Sequence, residues 1–160
     1  MQKLARTIHF DESDSRIFAR PAESGEWALP GGFEFSNWTE SDLTGKARQA
    51  FANGWLSLDG FGRATLVAVA KIEPDEVAAL TDRLAEHFVA IYGAPAKDAA
   101  MDVAREEMAF MLDLCADHEP NTLLSVTREL TQTGVREQFS AIETRDAQLE
   151  QVAVHGTLED

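Results

Sequence analysis

The chain has 160 residues, 44% of them apolar and 26% charged, with 14 basic side chains against 28 acidic ones and a net charge of −14. That length fits one domain whose core needs no disulfide or metal staple, and the single Cys115 cannot form an internal disulfide. So acidic a chain repels phosphate backbones and anionic bilayers, which excludes nucleic acid and membrane surfaces as expected partners.

Met1–Arg6 has no apolar run of signal-peptide length behind it, and stretches such as Leu66–Ala70 are far too short to span a bilayer, so cytoplasmic residence is the expectation. The first third reads as strands. Leu4, Ile8 and Phe10 fall on one face at period two, Asp11–Ser15 is a turn signal, and Arg16–Arg20 can return as the second strand of a hairpin. Trp27 and Leu29 alternate, Pro30-Gly31-Gly32 interrupts the chain, and Phe33 and Phe35 alternate again as a further strand. From about Ser41 a short helix is expected, with Leu43, Ala47, Ala50 and Phe51 on its apolar side and Asn53-Gly54 as its stop.

Trp55–Leu58 and Ala64–Ile72 flank Asp59-Gly60-Phe61-Gly62-Arg63, which predicts a second hairpin with a glycine-rich turn. Leu66–Ala70 carries no polar interruption, as expected of a strand covered on both faces at the sheet centre. Pro74-Asp75-Glu76 opens a helix, since proline has the right φ for a first turn and acids complement the dipole there. Val77, Leu80, Leu84, Phe88 and Ile91 form its stripe, and Gly93 ends it. Pro95 and Asp98 open a second helix with the stripe Met101, Ala104, Met108, Met111, Leu112 and Cys115.

After Pro120-Asn121, Leu124, Val126, Arg128 and Leu130 alternate, as do Val135, Glu137, Phe139 and Ala141 around Thr133-Gly134. A hairpin is predicted over 122–142, with a helix carrying Leu123, Val126 and Leu130 as the alternative. In the hairpin, a Thr133-Gly134 turn makes Arg128 and Glu137 diagonal neighbours on the apolar face, read first as a structural ion pair. Residues 1–143 are thus one α+β domain, an antiparallel or mixed sheet with two main helices on one face, followed by a polar tail over 144–160 in which Val152–Val154 can add an edge strand.

Residues 73–118 carry 3 basic and 11 acidic groups, whereas 41–72 carry 4 and 2, the one stretch with a positive balance. There Lys46, Arg48 and Arg63 stand beside the Asn53-Gly54 and Gly60–Gly62 turns, and glycine-turn amides with arginine suit a small carboxylate or phosphate. The plainer reading pairs these cations with the surrounding acids. Gly45-Lys46 lacks the earlier glycine and following hydroxyl of a P-loop, and Gly60 and Gly62 lack the third glycine of a dinucleotide fingerprint.

Cys115 and His118, with His87, have the residue types of a metal site, but Cys115 lies on an apolar stripe where a free cysteine is normally core. Neither a metal nor another cofactor is expected. His9, His87, His118 and His155 are scattered, and no Gly-x-Ser-x-Gly elbow is present, so catalytic residues are not assignable. Trp38 or Trp55, if exposed, would mark a contact surface.

The stretch Leu43–Gly54 followed by Gly60–Arg63, with Leu4–Asp11, Tyr92–Pro95 and Asn121–Leu124, resembles a family of alphaproteobacterial proteins of unknown function. The resemblance implies a bacterial single-domain protein and lends no catalytic residue. The leading expectation is therefore a non-catalytic accessory or interaction protein that can form a homodimer. The alternative is a domain, or an enzyme, binding a small anion at Lys46, Arg48 and Arg63.

Overall fold

The computed structural model describes residues 2–8, 18, 20–36, 38–92 and 97–142. Seven strands form one sheet: β1 (Gln2–Ile8), β2 (Trp27–Leu29), β3 (Trp55–Ser57), β4 (Arg63–Ala64), β5 (Leu66–Ile72), β6 (Leu123–Thr131) and β7 (Gly134–Ile142). Their spatial order is β4-β3-β2-β1-β5-β6-β7, and every neighbouring pair of strands is antiparallel. Three helices accompany them: α1 (Gly45–Asn53), α2 (Pro74–Tyr92) and α3 (Lys97–Ala116). The chain is an α+β fold, as its pattern predicts.

Two long helices follow from their stripes. Leu80, Leu84 and Phe88 of α2, and Ala104, Met108, Met111 and Cys115 of α3, are all buried. α3 lies across β1 and β2, and α2 packs along α3. Each large side chain so removed from water contributes about 1.5–3 kcal/mol, enough to hold the helices on the sheet. Leu66–Ile72 is an interior strand, paired with β1 over its whole length and with β6 on its other side.

Four expectations change. The partner of β1 in the first third is Trp27–Leu29, in the register Ala5↔Ala28. Of the expected return strand, only Phe18 and Arg20 are among the described residues, and neither lies in a strand. Gly32–Phe35 is a turn of 3-10 helix, not a strand: Gly31 enters it with φ near +70°, and Glu34 N and Ser36 N fold back to donate to Gly31 O and Phe33 O at 3.3 Å each. The glycine-rich hairpin is short: only Arg63–Ala64 pairs back on β3, and the chain then leaves for the sheet interior.

The last hairpin forms over Leu123–Ile142, so the helical alternative falls. Its two-residue turn is Gln132-Thr133, one position earlier than expected, and Arg128 therefore sits directly opposite Glu137. The Asp11–Ser15 turn, Gly93 and Pro95, the 144–160 tail with Val152–Val154, and His9 and His155 lie outside the described residues.

The sheet is strongly bent. β3 and β7 are five strand steps apart, about 24 Å on a flat sheet, yet the rings of Trp55 and Phe139 are 5.6 Å apart. The two ends of the sheet thus approach each other, and buried polar side chains bridge them.

Candidate functional site: a buried arginine pair and a regular sheet edge

Arg63 on β4 and Arg128 on β6 reach the same backbone from opposite ends of the sheet. Both donate to the carbonyl of Gly54, from Nη1 at 3.0 Å for Arg63 and 2.9 Å for Arg128, and both donate to that of Pro30. Arg63 also donates to Gly31 O at 3.2 Å and pairs with Glu34. Arg128 also donates to Phe51 O at 2.9 Å and, through Nε, to Glu137 Oε2 at 2.8 Å.

The sequence explains why these carbonyls are available. α1 ends at Asn53-Gly54, and the last carbonyls of a helix have no partner within it and carry the negative end of its dipole. Two guanidiniums supply what that end lacks. Phe35 stacks beneath them, its ring centroid 4.6 Å from Arg63 Cζ and 5.2 Å from Arg128 Cζ. With Glu34 and Glu137 the cluster holds two positive and two negative groups, so burying it leaves no net charge. Burial lowers the proton affinity of Arg128, and the bond to Glu137 opposes that. Gly32 lets Glu137 lie close, since a Cβ there would fall 2.2 Å from its Oε2.

Around the cluster, His87 Nε2 stands 3.5 Å from Glu34 Oε2, and its ring stacks on Phe61 with centroids 3.8 Å apart. Glu107 of α3 is half-buried; burial first, then Glu137 and Glu106, raise its pKa above the ordinary 4.5. A carboxyl whose folded pKa is raised favours the fold only while protonated and weakens it as pH climbs through that pKa. Glu107→Gln is therefore expected to raise the melting temperature at pH 7.5, the gain fading as the pH falls toward 4.5. Melting curves of both proteins across that range check it.

The three cations expected to converge do not. Lys46 and Arg48 are exposed near the start of α1, where Arg48 Nη1 lies 3.5 Å from Leu43 O. Arg63 is buried at the other end of α1, a helix about 13 Å long, in the ion pair with Glu34. The expected structural pair of Arg128 and Glu137 is present. Cys115 is buried, which pushes its thiol up to about 12. Among the described residues no group of three or more His, Cys, Asp or Glu is placed to hold a metal ion. Trp55 is fully buried, and Trp38 is half-buried against Phe35 and Phe51.

Exposed apolar side chains lie elsewhere, among them Val89 and, at 60%, Ile91 near the end of α2, which falls outside the buried stripe expected for it. Val103 and Phe110, seven residues apart on α3, are 44% and 48% exposed, and Ile142 at the end of β7 is 45% exposed. Phe110 packs against Phe139 of β7, with centroids 5.7 Å apart. β7 is itself an edge. It pairs with β6 over nine residues without a bulge, and among the described residues no strand pairs with its other side.

The two edges of the sheet differ. β4 is two residues long and is covered by Pro21, with Ala22 N donating to Arg63 O at 2.9 Å and Arg63 N to Arg20 O at 2.8 Å. Short strands and proline are how sheets blunt an edge. β7 has neither. Its two-residue turn closes on a narrow Thr131↔Gly134 pair, so the alternation of antiparallel ladders turns the N–H and C=O of Val135, Glu137, Phe139 and Ala141 away from β6.

Among known proteins, a family model described as "Family of unknown function (DUF6505)" matches the chain over residues 1–160. No curated protein and no solved structure matches.

Proposed function

The chain belongs to DUF6505, a family of unknown function, and we propose for it a non-catalytic, cytoplasmic role as an interaction protein that docks an extended strand along β7. One observation carries the reading: a regular nine-residue edge whose outward row of backbone donors and acceptors no strand among the described residues pairs with, and exposed Phe110 and Ile142 beside it. Main-chain bonds along such an edge give affinity, and apolar side chains next to it give selectivity.

The polar cluster supports the same reading from the other side. Its guanidiniums are engaged by carbonyls and carboxylates of the fold, which supports reading Arg63 and Arg128 as fastenings of the sheet.

Photo-crosslinking in cells tests the proposal. A photoreactive residue in place of Gln138 is expected to give a defined crosslinked product, and one in place of the exposed Gln49 of α1 is not. Adding Ala141→Pro, which removes an outward N–H and leaves the β6 bonds intact, is expected to abolish the Gln138 product. Equal labelling at both positions, or a product insensitive to Ala141→Pro, would count against β7 as the docking edge.

A further inference from the structure

We infer that the strand docked on β7 is β7 of a second copy of this chain, antiparallel to the first about a twofold axis at Gln138, so that two seven-stranded sheets become one. This rests on the reading of β7 as a docking edge and adds the identity of the occupant.

The register argues for it. Gln138 is the midpoint of Gly134–Ile142, so a twofold axis there pairs all nine residues with all nine of the second copy. The outward backbone groups then meet outward groups: Val135 meets the partner's Ala141, and Glu137 meets the partner's Phe139. By the symmetry of antiparallel pairing this gives about eight main-chain hydrogen bonds with none misaligned. Arg136 faces the partner's Ser140, and Gln138 faces its own copy, so no like charges stand directly opposite.

Charge argues in the same direction. Two copies of a chain with net charge −14 repel on average. α2 and α3 each carry three more acidic than basic residues, whereas the β6–β7 hairpin, with Arg128, Arg136, Glu129 and Glu137, carries no net charge. On it, Arg136 and Glu129 already neutralise each other as an ion pair. The hairpin is a face through which two copies can meet without bringing charge of one sign together.

The opposite edge closes the assembly. Because β4 is short and covered by Pro21, a second pairing cannot propagate from it, and the contact gives a closed dimer instead of a filament. A strand pair alone buries less than the ~800 Å² per partner of a standard stable interface. Even with Phe110 and Ile142 at its flanks, the dimer is therefore expected to dissociate on dilution.

The test uses the full chain and a cysteine placed on the axis. Native mass spectrometry and sedimentation, from micromolar to hundreds of micromolar, are expected to show the 17.6 kDa species converting to one of twice that mass. Facing residues between narrow pairs have Cα atoms about 4.5 Å apart, within disulfide reach. Gln138→Cys is thus expected to give an oxidised dimer at least about tenfold faster than Arg136→Cys, whose symmetry mates lie four residues out of register. The buried native Cys115 does not compete.

A monomer at every concentration would overturn the inference, and so would a dimer in which both cysteines couple equally slowly. If the chain stays monomeric while the Gln138 photo-crosslink captures another protein, the second copy is the wrong occupant and docking on β7 survives. If the crosslink is absent too, both readings fail.

Discussion

Arg128→Ala is expected to lower stability by about 3–5 kcal/mol, the range for removing one partner of a buried ion pair. The side chain is wholly buried, and its loss strands several groups at once. Glu137 loses its cation, Phe51 O loses its donor, and Gly54 O and Pro30 O each lose one of two. Against a usual total of 5–15 kcal/mol, a fall in melting temperature on the order of 10 °C is expected for a chain of this length.

Arg128→Lys is expected to recover little of this, because one ammonium cannot reach Glu137, the end of α1 and Pro30 together. Thermal and urea unfolding of the two variants measures both effects. If Arg128→Ala melted within a few degrees of the parent, the cluster would not be what joins the ends of the sheet.

The second large effect is expected at Gly62. A Cβ there would stand 2.7 Å from Pro21 O, 2.8 Å from Pro21 C and 2.9 Å from Ala22 N. All three are backbone atoms of a segment tied to Arg63 by two hydrogen bonds, so it cannot draw back without breaking them. Gly62→Ala is expected to cost roughly 1–3 kcal/mol or more, as overpacking does. Gly60→Ala meets nothing within 4 Å and is expected to be near neutral. The comparison by chemical denaturation assigns the glycine at 62 to close packing of the β4 edge and not to a flexible turn.

Much of this fold is legible in the sequence, and the reasons are local. Met101 to Cys115 repeat at helical spacing, and Leu124 to Leu130 alternate, because each element has one face turned to the core. The turn of the last hairpin is displaced because Gly134, with φ near +131°, attracts the assignment while sitting as the first residue of β7. Phe33 and Phe35 mimic a strand because both are apolar and both pack inside, Phe35 buried and Phe33 in edge contact with Phe88, although in a 3-10 turn they point about 120° apart and not to one face.

The site is less legible. Arg63 and Arg128 each stand out in the sequence, one as an anion ligand and one as half of an ion pair. Nothing in their spacing shows that they meet, because the meeting depends on how far a seven-stranded sheet bends. Val103 and Phe110 are similarly hidden: each adjoins the buried stripe of α3, and only the packing shows that they lie just outside it.

The join between the sheet ends also bears on the order in which the molecule assembles. Arg128 and Pro30 are 98 residues apart in sequence, and Arg128 and Phe51 are 77 apart, whereas the β6–β7 hairpin and the paired helices close over short loops. Contacts between such distant positions return their free energy only after the intervening chain has been ordered. The guanidinium bonds therefore form late, once the hairpins and helices already exist. Weakening them is thus expected to speed the reopening of the native state more than it slows its formation.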